Sequence, residues 1–361
     1  MLPSPSSATD LHKYFGAGDG ALSIQNIMQP TFVIAGHITR EFILPPAGSP
    51  LLDAAGGSAL YAAGGLNVWE KQIGLLARVG EDYPRPWLKE IAGRGVDING
   101  VKILHQSLDL RSFFAYNEKF EIAHGTAVSQ FARRQLSFPK SLLGYQSPPE
   151  VRKDALKPDA LSPLPIEIPI EYRQAQAVHF CPMDFVSHNQ LFTAFRAGSV
   201  TTLTLDPSAG YMAPSFFRDL RVIVSGLTAF LPSEEELRAL FWGETNDLWQ
   251  MAAALGAYGC EIVVVKRGGL GQLVYDVPGK HKWEVPAYPA RMADPTGAGD
   301  AFCGGFLAGY KKTYDPLQAA LYGNVSASLK VEGSGAFYPL DVMPGLAEAR
   351  LSALKNLVRE V

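Results

Sequence analysis

The chain has 361 residues, of which 47% are hydrophobic and 19% charged, and its formal net charge is -3. This composition is ordinary for a large globular protein, and the slightly acidic balance excludes the basic footprint that nucleic acid requires. Three scattered cysteines exclude a disulfide framework, and no apolar run approaches the ~18 residues that a membrane helix needs. The sequence predicts a cytoplasmic protein that binds neither membranes nor nucleic acid, since its N-terminus also lacks the pattern of a signal peptide.

The first half of the chain alternates short apolar runs with helical segments. Residues 1–29 are rich in Ser, Pro, Gly and Asp and are interpreted as an N-terminal extension. Two buried strands at 31–36 and 73–80 are then followed by helical segments at 56–71 and 84–96. Because strands that alternate with helices pair in parallel, this order predicts a mainly parallel sheet with helices on both faces.

The remaining segments extend the same pattern and add a smaller unit. Residues 101–117 look like exposed antiparallel strands, so we expect a small β-sheet from about 37–50 and 97–125. Residues 135–170 are rich in proline and are interpreted as a surface excursion. The main domain is expected to span 30–345, before a C-terminal helix at 346–361. Further strands are predicted at 175–180, 200–206, 221–226 and 261–268, and further helices at 233–242 and 246–259.

The stretch "ADPTGAGDAFCGGFLAGY" (293–310) combines a glycine-rich turn with the start of a helix. The backbone N–H groups of Gly297, Ala298 and Gly299 are unshielded there, and together with the helix dipole they form a potential anion site. Asp300 would then place a carboxylate beside the anion, which is repulsive unless the carboxylate accepts a proton from a hydroxyl that attacks phosphorus. The alternative is that the glycines only allow the helix to pack closely on a strand.

Two other phosphate-binding motifs fail on inspection. The P-loop pattern has no match, since "GKH" at 279–281 departs from it. The dinucleotide fingerprint begins correctly at Gly297 and Gly299, but Phe302 stands where its third glycine belongs. The turn therefore belongs to neither class.

The same stretch closely resembles the C-terminal signature of the ribokinase-like (PfkB) carbohydrate kinases. The resemblance covers most of residues 31–340 and includes "GG" (56–57), "ARVGEDYP" (77–84), "LDPS" (205–208), "LPSEEEL" (231–237) and "VVKRGGLG" (264–271). It implies a three-layer α/β/α ribokinase-like fold with a mainly parallel central sheet and a small β-sheet lid. It also implies transfer of the γ-phosphoryl group of ATP to a hydroxymethyl group of a sugar, nucleoside or related alcohol.

The resemblance assigns a role to individual positions. Asp300 is implied as the general base, and Gly297, Ala298 and Gly299 as the anion hole. Glu236 is implied to hold Mg²⁺ through water, although Ser233 and Glu236 also form a capping-box pattern. Asp294 and Thr296 are implied to flank a monovalent cation such as K⁺, and the lid is implied as a surface for a homodimer. The implied ATP-binding residues are Lys266, Gly268, Gly269, Gly271 and Asn324, although a hairpin explains the glycines equally well and a core amide explains Asn324.

The acceptor end departs from the family pattern. Glu41 stands where the family has Asp, Tyr61 stands where it has Asn, and Gly56 and Gly57 retain the glycine pair. We expect these four residues to bind the acceptor. The alternative is that Tyr61 packs in the core and Glu41 is a solvated lid residue.

Two rival functions remain open at this stage. The departures at 41, 61 and 233 allow a non-catalytic sensor that binds a sugar or nucleotide without turnover. The α/β pattern alone allows a dinucleotide-dependent oxidoreductase, which the failed fingerprint disfavours. The intact "GAGD" turn favours the kinase.

Overall fold

The computed structural model describes residues 29–147 and 157–361. The predicted extension at 1–29 therefore lies, except for Gln29, outside the described residues, as does part of the proline-rich excursion. The helices are α1 (Ser58–Asn67), α2 (Arg85–Gly93), α3 (Ala127–Arg133), α4 (Phe185–Arg196), α5 (Leu220–Val224), α6 (Glu234–Leu240), α7 (Leu248–Gly256), α8 (Ala298–Thr313), α9 (Pro316–Lys330) and α10 (Leu346–Lys355).

The strands form a large central sheet and a small separate one. They are β1 (Phe32–Ala35), β2 (Thr39–Leu44), β3 (Leu51–Gly56), β4 (Ile73–Val79), β5 (Val96–Asp97), β6 (Val101–Ile103), β7 (Arg111–Ala115), β8 (Ala177–Phe180), β9 (Thr202–Leu205), β10 (Ala229–Phe230), β11 (Ile262–Lys266), β12 (Gln272–Asp276), β13 (His281–Val285) and β14 (Arg359–Glu360). The central sheet has the order β14-β13-β12-β11-β10-β9-β8-β1-β4-β5, and β6 also pairs with β4. The small sheet has the order β3-β2-β7.

Helices cover both faces of the central sheet, which confirms the predicted three layers. The pairings from β11 through β8 and β1 to β4 are parallel, whereas β12, β13 and β14 add an antiparallel edge. Along β1, Val33 packs with residues of α4 to α7 on one face, and its neighbour Ile34 packs with α1 and α2 on the other. Strands buried on both faces are expected to be continuously apolar, as β1 is, whereas β8 and β9 also bury His179, Thr202 and Thr204.

Three local predictions were wrong. Residues 221–226 were expected to be a strand but contain α5, in which Leu220, Ile223 and Val224 are buried while Val222 is 56% exposed. This spacing is helical, and the β-branched run concealed it. Residues 101–103 were assigned to the small sheet but pair in parallel with β4 of the central sheet. The predicted C-terminal helix ends at Lys355, and β14 follows it.

The small sheet differs from its prediction in membership and direction. Its third strand, β3, lies beyond the predicted range 37–50, and β7 pairs with β2 in parallel rather than antiparallel. One face of β2 packs against α3 and the turn at 140–142, through Phe42 and Leu44 against Phe131 and Leu142. The start of the excursion at 135–170 is therefore anchored on the small sheet, not suspended in solvent.

Among the described residues, no helix has the length and apolar character that crossing a membrane demands. The longest, α8, instead packs against α1, where glycines allow close approach. A Cβ atom on Gly304 would collide with the backbone of Ala62, and one on Gly65 with the backbone of Ala301. This packing places the start of α8 near the carboxyl ends of the parallel strands, where α/β proteins bind their ligands.

Candidate active site at the start of helix α8

Helix α8 begins after a glycine that no other residue can replace without strain. Gly297 is the N-cap and adopts a left-handed conformation with φ of 71°. A Cβ atom on Gly297 would collide with the aromatic ring of Tyr61. Asp300 is consequently held in the first turn of the helix, where the sequence predicted it.

The two amides that follow Gly297 in the predicted anion hole differ in their hydrogen bonding. The N–H of Ala298 donates to the carbonyl of Pro295 at 3.1 Å, so this amide is already engaged in the turn. Gly299 is exposed, and helix geometry leaves the N–H groups of a first turn without intrahelical acceptors. The amide of Gly299 is therefore better placed than that of Ala298 to bind an anion.

A cavity of about 560 Å³ opens beside this helix start. Its wall contains six of the residues predicted for the nucleotide and the anion hole: Lys266, Gly268, Gly269, Ala298, Gly299 and Asn324. Gly271 was predicted to join them but is absent from the lining. It has φ of 86° and packs against the backbone at 285–287, so it shapes the β11–β12 hairpin instead.

Asn324 lines the cavity, but its amide is fully occupied by the protein. Its Oδ1 accepts the N–H of Tyr288 at 3.0 Å, and its Nδ2 donates to Gln272 Oε1 at 2.8 Å and to the carbonyl of Pro286 at 2.9 Å. Asn324 therefore holds the 286–288 segment in place as a wall of the cavity. This arrangement favours the core-amide interpretation of the residue over direct adenine contact.

Lys266 brings a positive charge to the helix start. Its ammonium forms an ion pair with the buried Asp206, and a Cβ atom placed on Gly299 would lie 3.6 Å from its Nζ. Burial alone would lower the pKa of Lys266, but the carboxylates of Asp206 and Glu236 raise it overall, so the side chain stays protonated. The ammonium of Lys266 thus lies close to the N-terminus of α8, and the two positive groups together favour an anion between them.

Two carboxyl groups near Lys266, those of Asp300 and Glu236, have raised pKa values despite its positive charge. Burial raises the pKa of Asp300 to about 6, although Lys266 opposes the rise and Glu41 adds to it. Burial and the charge of Asp206 raise the pKa of Glu236 to about 7. Such shifts are typical of sites that bind a cation or move a proton.

Glu236 serves as a helix cap, and its environment also fits a metal nearby. Its Oε2 accepts from the N–H and the hydroxyl of Ser233 at 2.8 and 2.9 Å, which completes the capping box at the start of α6. Residues 29–147 and 157–361 contain no group of three or more His, Cys, Asp or Glu side chains that could enclose a metal. The carboxylates fit Mg²⁺ held through water and phosphate, because this ion keeps several waters and needs few protein ligands.

The predicted acceptor residues are brought together, but they bind one another. Tyr61 donates to Glu41 Oε2 at 2.6 Å, and the N–H of Gly57 donates to Glu41 Oε1 at 2.8 Å. Glu41 is 2% exposed and Tyr61 1% exposed. A Cβ atom on Gly56 would collide with the Glu41 carboxyl group. In this geometry both side chains are engaged with the protein, and their role in acceptor binding stays a prediction. The alternative is confirmed for Tyr61, which packs in the core, and is wrong for Glu41, which is buried rather than solvated.

The predicted monovalent-cation site does not fit a free ion. Asp294 Oδ1 accepts the N–H of Thr296 at 2.9 Å, and the Thr296 hydroxyl bonds to Tyr116 at 2.9 Å. The ammonium of Lys330 lies 3.5 Å from Asp294 Oδ2 and donates to the carbonyl of Asp294 at 3.2 Å. A cationic side chain therefore already occupies the space beside Asp294.

Lys330 and Cys303 were not singled out in the sequence. Cys303 lies inside the helical motif, with its thiol 3.4 Å from Asp206 Oδ2, and nothing in the spacing indicates that contact. Lys330 carries a detectable signal: it is the one charged residue in the helix α9, "PLQAALYGNVSASLK", whose other residues are small, polar or apolar. A lone charge at the end of a buried helix is a candidate for a specific partner.

Comparison with known proteins finds that the chain is similar to kinases. Residues 171–343 match the family model described as pfkB family carbohydrate kinase. A cytidine kinase from Thermococcus kodakarensis is 28% identical over 283 residues, which cover 78% of this chain and 88% of that protein.

Two solved structures show the same fold at low identity. A putative ribokinase II from E. coli, in complex with ATP and Mg²⁺, has a TM-score of 0.66 at 18% identity and covers 90% of this chain and 99% of its own. A nucleoside kinase from Burkholderia thailandensis, in complex with inosine, has a TM-score of 0.63 at 18% identity and covers 90% of this chain and 99% of its own.

Proposed function

Since the chain belongs to the pfkB family of carbohydrate kinases, we propose that it transfers the γ-phosphoryl group of ATP to a hydroxymethyl group of a nucleoside or sugar. Asp300 acts as the general base. The observation that carries the proposal is the meeting of Asp300, the Lys266 ammonium and the exposed Gly299 amide at one helix start beside a cavity of about 560 Å³.

The nucleotide occupies this cavity, with its phosphates at the start of α8. The amide of Gly299 and the ammonium of Lys266 stabilise the negative charge of the transferred phosphoryl group. This stabilisation increases as charge develops in the transition state. Mg²⁺, bound near Glu236 through water, would supply further positive charge to the phosphates. Solved structures of the fold include one with ATP and Mg²⁺, which supports this assignment of the cavity.

Asp300 takes the proton of the attacking hydroxyl. Its pKa of about 6 leaves it ionised at neutral pH, yet makes it a stronger base than an ordinary carboxylate. Its place in the first helical turn puts it next to the phosphoryl group that the hydroxyl must attack. Proximity of base, acceptor and phosphate is the main contribution that the protein makes in such transfers.

The small sheet β3-β2-β7 lies on the side of the turn where we place the acceptor. Tyr116, directly after β7, bonds to Thr296 in the turn before α8, so this sheet is connected to the catalytic turn. Phe42 and Leu44 of β2 pack against α3, and Glu41 of the same strand accepts a hydrogen bond from Tyr61 of α1. We therefore assign it the role of a lid that excludes water, and the proposal gives no role to a second subunit.

A nucleoside is the favoured acceptor class. The cytidine kinase that matches 78% of this chain supports this choice over a free sugar. We further place the reaction in the cytoplasm, because Cys181, Cys260 and Cys303 are all free thiols and ATP is the donor.

The proposal is tested by a phosphorylation screen with ATP and Mg²⁺ over cytidine, inosine, ribose, fructose and polyols. We expect turnover with at least one nucleoside, and in Asp300→Asn a kcat lower by a factor on the order of 10²–10⁴. Thermal stabilisation by ATP–Mg²⁺ without turnover on any acceptor would indicate the sensor instead. Stabilisation by NAD(P) but not by ATP would indicate the oxidoreductase.

A further inference from the structure

A completely buried ammonium group lies at the end of α9. Lys330 is 0% exposed, and its Nζ donates to the carbonyls of Asp294 and Gly333 at 3.2 and 3.0 Å. Asp294 Oδ2, 3.5 Å away, is its third oxygen neighbour. Lysine has three N–H donors when charged and no acceptor, so three oxygen neighbours suit the protonated form.

The oxygen set is that of an alkali cation site. Backbone carbonyls in such sites replace the hydration shell of K⁺, and a carboxylate adds charge balance. Asp294 Oδ2 has no hydrogen-bond partner among the described residues, which leaves the ammonium as its counter-charge. Burial lowers the pKa of Lys330, but Asp294 and Glu41 oppose that effect.

The ammonium is coupled to the catalytic turn through two short routes. Asp294, which it neutralises, accepts the N–H of Thr296 at 2.9 Å and so fixes the turn that ends at Gly297. The ammonium also lies 5.3 Å from the centre of the Tyr61 ring, which packs directly under Gly297. A positive charge at this point therefore holds the turn that presents the Gly299 amide and Asp300.

We propose that Lys330 is a resident substitute for a monovalent cation, so that the enzyme holds its anion-binding turn in place without K⁺. A free ion in this space would meet the ammonium at contact distance, and like charges there are unfavourable. Lys330 is a positioning residue, since it acts through Asp294 and Tyr61 and is not among the residues that line the nucleotide cavity. The inference depends on the proposed kinase function only where kcat is measured, and the melting temperatures test it without that function.

The test compares potassium chloride with choline chloride at constant ionic strength. For the parent protein we expect the melting temperature to be equal in the two salts and kcat to differ by less than about twofold. An activation by K⁺ of about tenfold or more over choline would overturn the proposal, because a free cation would then be acting.

Lys330→Ala opens space where the ammonium lay. In choline we expect kcat to fall about tenfold or more and the melting temperature to fall as well. Potassium, ammonium or propylammonium chloride should then raise the melting temperature and restore part of kcat. A purely structural lysine would not give this rescue. Lys71→Ala is the control, because that exposed lysine also donates to a carbonyl, that of Asn67 at the C-terminal end of α1.

Lys330→Met is the second test variant, to be used if Lys330→Ala fails to fold in choline chloride. Its side chain refills most of the space, so we expect lost turnover that no cation restores. Parental kcat in Lys330→Met would overturn the positioning role. If no acceptor is ever found, the kinase proposal fails, but the cation-dependent melting temperature of Lys330→Ala still decides this inference independently.

Discussion

The two sides of the catalytic turn differ in how they use their polar groups. On the nucleotide side, Gly299 and Lys266 border an open cavity of about 560 Å³. On the acceptor side, Glu41 and Tyr61 are buried and bonded to each other at 2.6 Å. Gly299 and Lys266 thus border space for a ligand, whereas Glu41 and Tyr61, which depart from the family residues, are part of the core.

The largest effect is expected for Asp300→Asn. Removing the base should lower kcat by a factor on the order of 10²–10⁴ with ATP affinity unchanged. The folded-state pKa of Asp300, about 6, exceeds its ordinary value of 3.8, so its ionisation costs stability as pH rises from 3.8 through 6. The variant should therefore melt at the same or a higher temperature at pH 8. Parental turnover would exclude Asp300 as the base.

Substitutions at Gly297 and Gly299 should affect different properties, namely stability at Gly297 and turnover at Gly299. Gly297→Ala should cost about 1–2 kcal/mol for its positive φ and about 1–3 kcal/mol more for collision with Tyr61, measured by denaturant unfolding. Gly299→Ala adds a methyl group that makes only ordinary contact, 3.6 Å from Lys266 Nζ, so it should fold normally but lose turnover. Equal stability of the two variants would contradict the placement of Tyr61 under Gly297.

The pH profile should show an acid limb set by Asp300. Since the base must be ionised, kcat/KM should fall about tenfold per pH unit below about pH 6. Glu236, whose pKa burial raises to about 7, is the other carboxyl that titrates nearby. The profile is therefore also measured in Glu236→Gln. Disappearance of the limb in that variant would assign it to Glu236.

The smallest effect is expected on the acceptor side, in Tyr61→Phe. Loss of its hydroxyl leaves a buried oxygen of Glu41 unpaired, which should lower the free energy of unfolding by about 1–3 kcal/mol. The matched control is Tyr83→Phe, because the buried Tyr83 hydroxyl has no hydrogen-bond partner among residues 29–147 and 157–361. We expect the acceptor KM to stay within about twofold. Unchanged stability with a raised KM would restore Tyr61 as an acceptor ligand.

The sequence by itself determined the layers, the parallel sheet and the glycine turn before α8, because each depends on patterns along the chain. Apolar runs that alternate with helical segments require helices on both faces of a sheet. The order Gly297–Ala298–Gly299–Asp300 places a carboxylate in a first helical turn whatever surrounds it. The turn is encoded within residues 293–310, and the layers are encoded in the order of apolar and helical segments, so both can be identified without tertiary contacts.

Only the tertiary structure decided which polar groups are free. The bond between Tyr61 and Glu41 spans 20 residues, and the contact between Lys330 and Asp294 spans 36. No periodicity records such pairings, because they arise when distant helices and strands bring side chains into one buried space. Burial without water then forces each polar group to find a partner in the protein. For this reason the acceptor residues became core and a lysine took the place predicted for an ion.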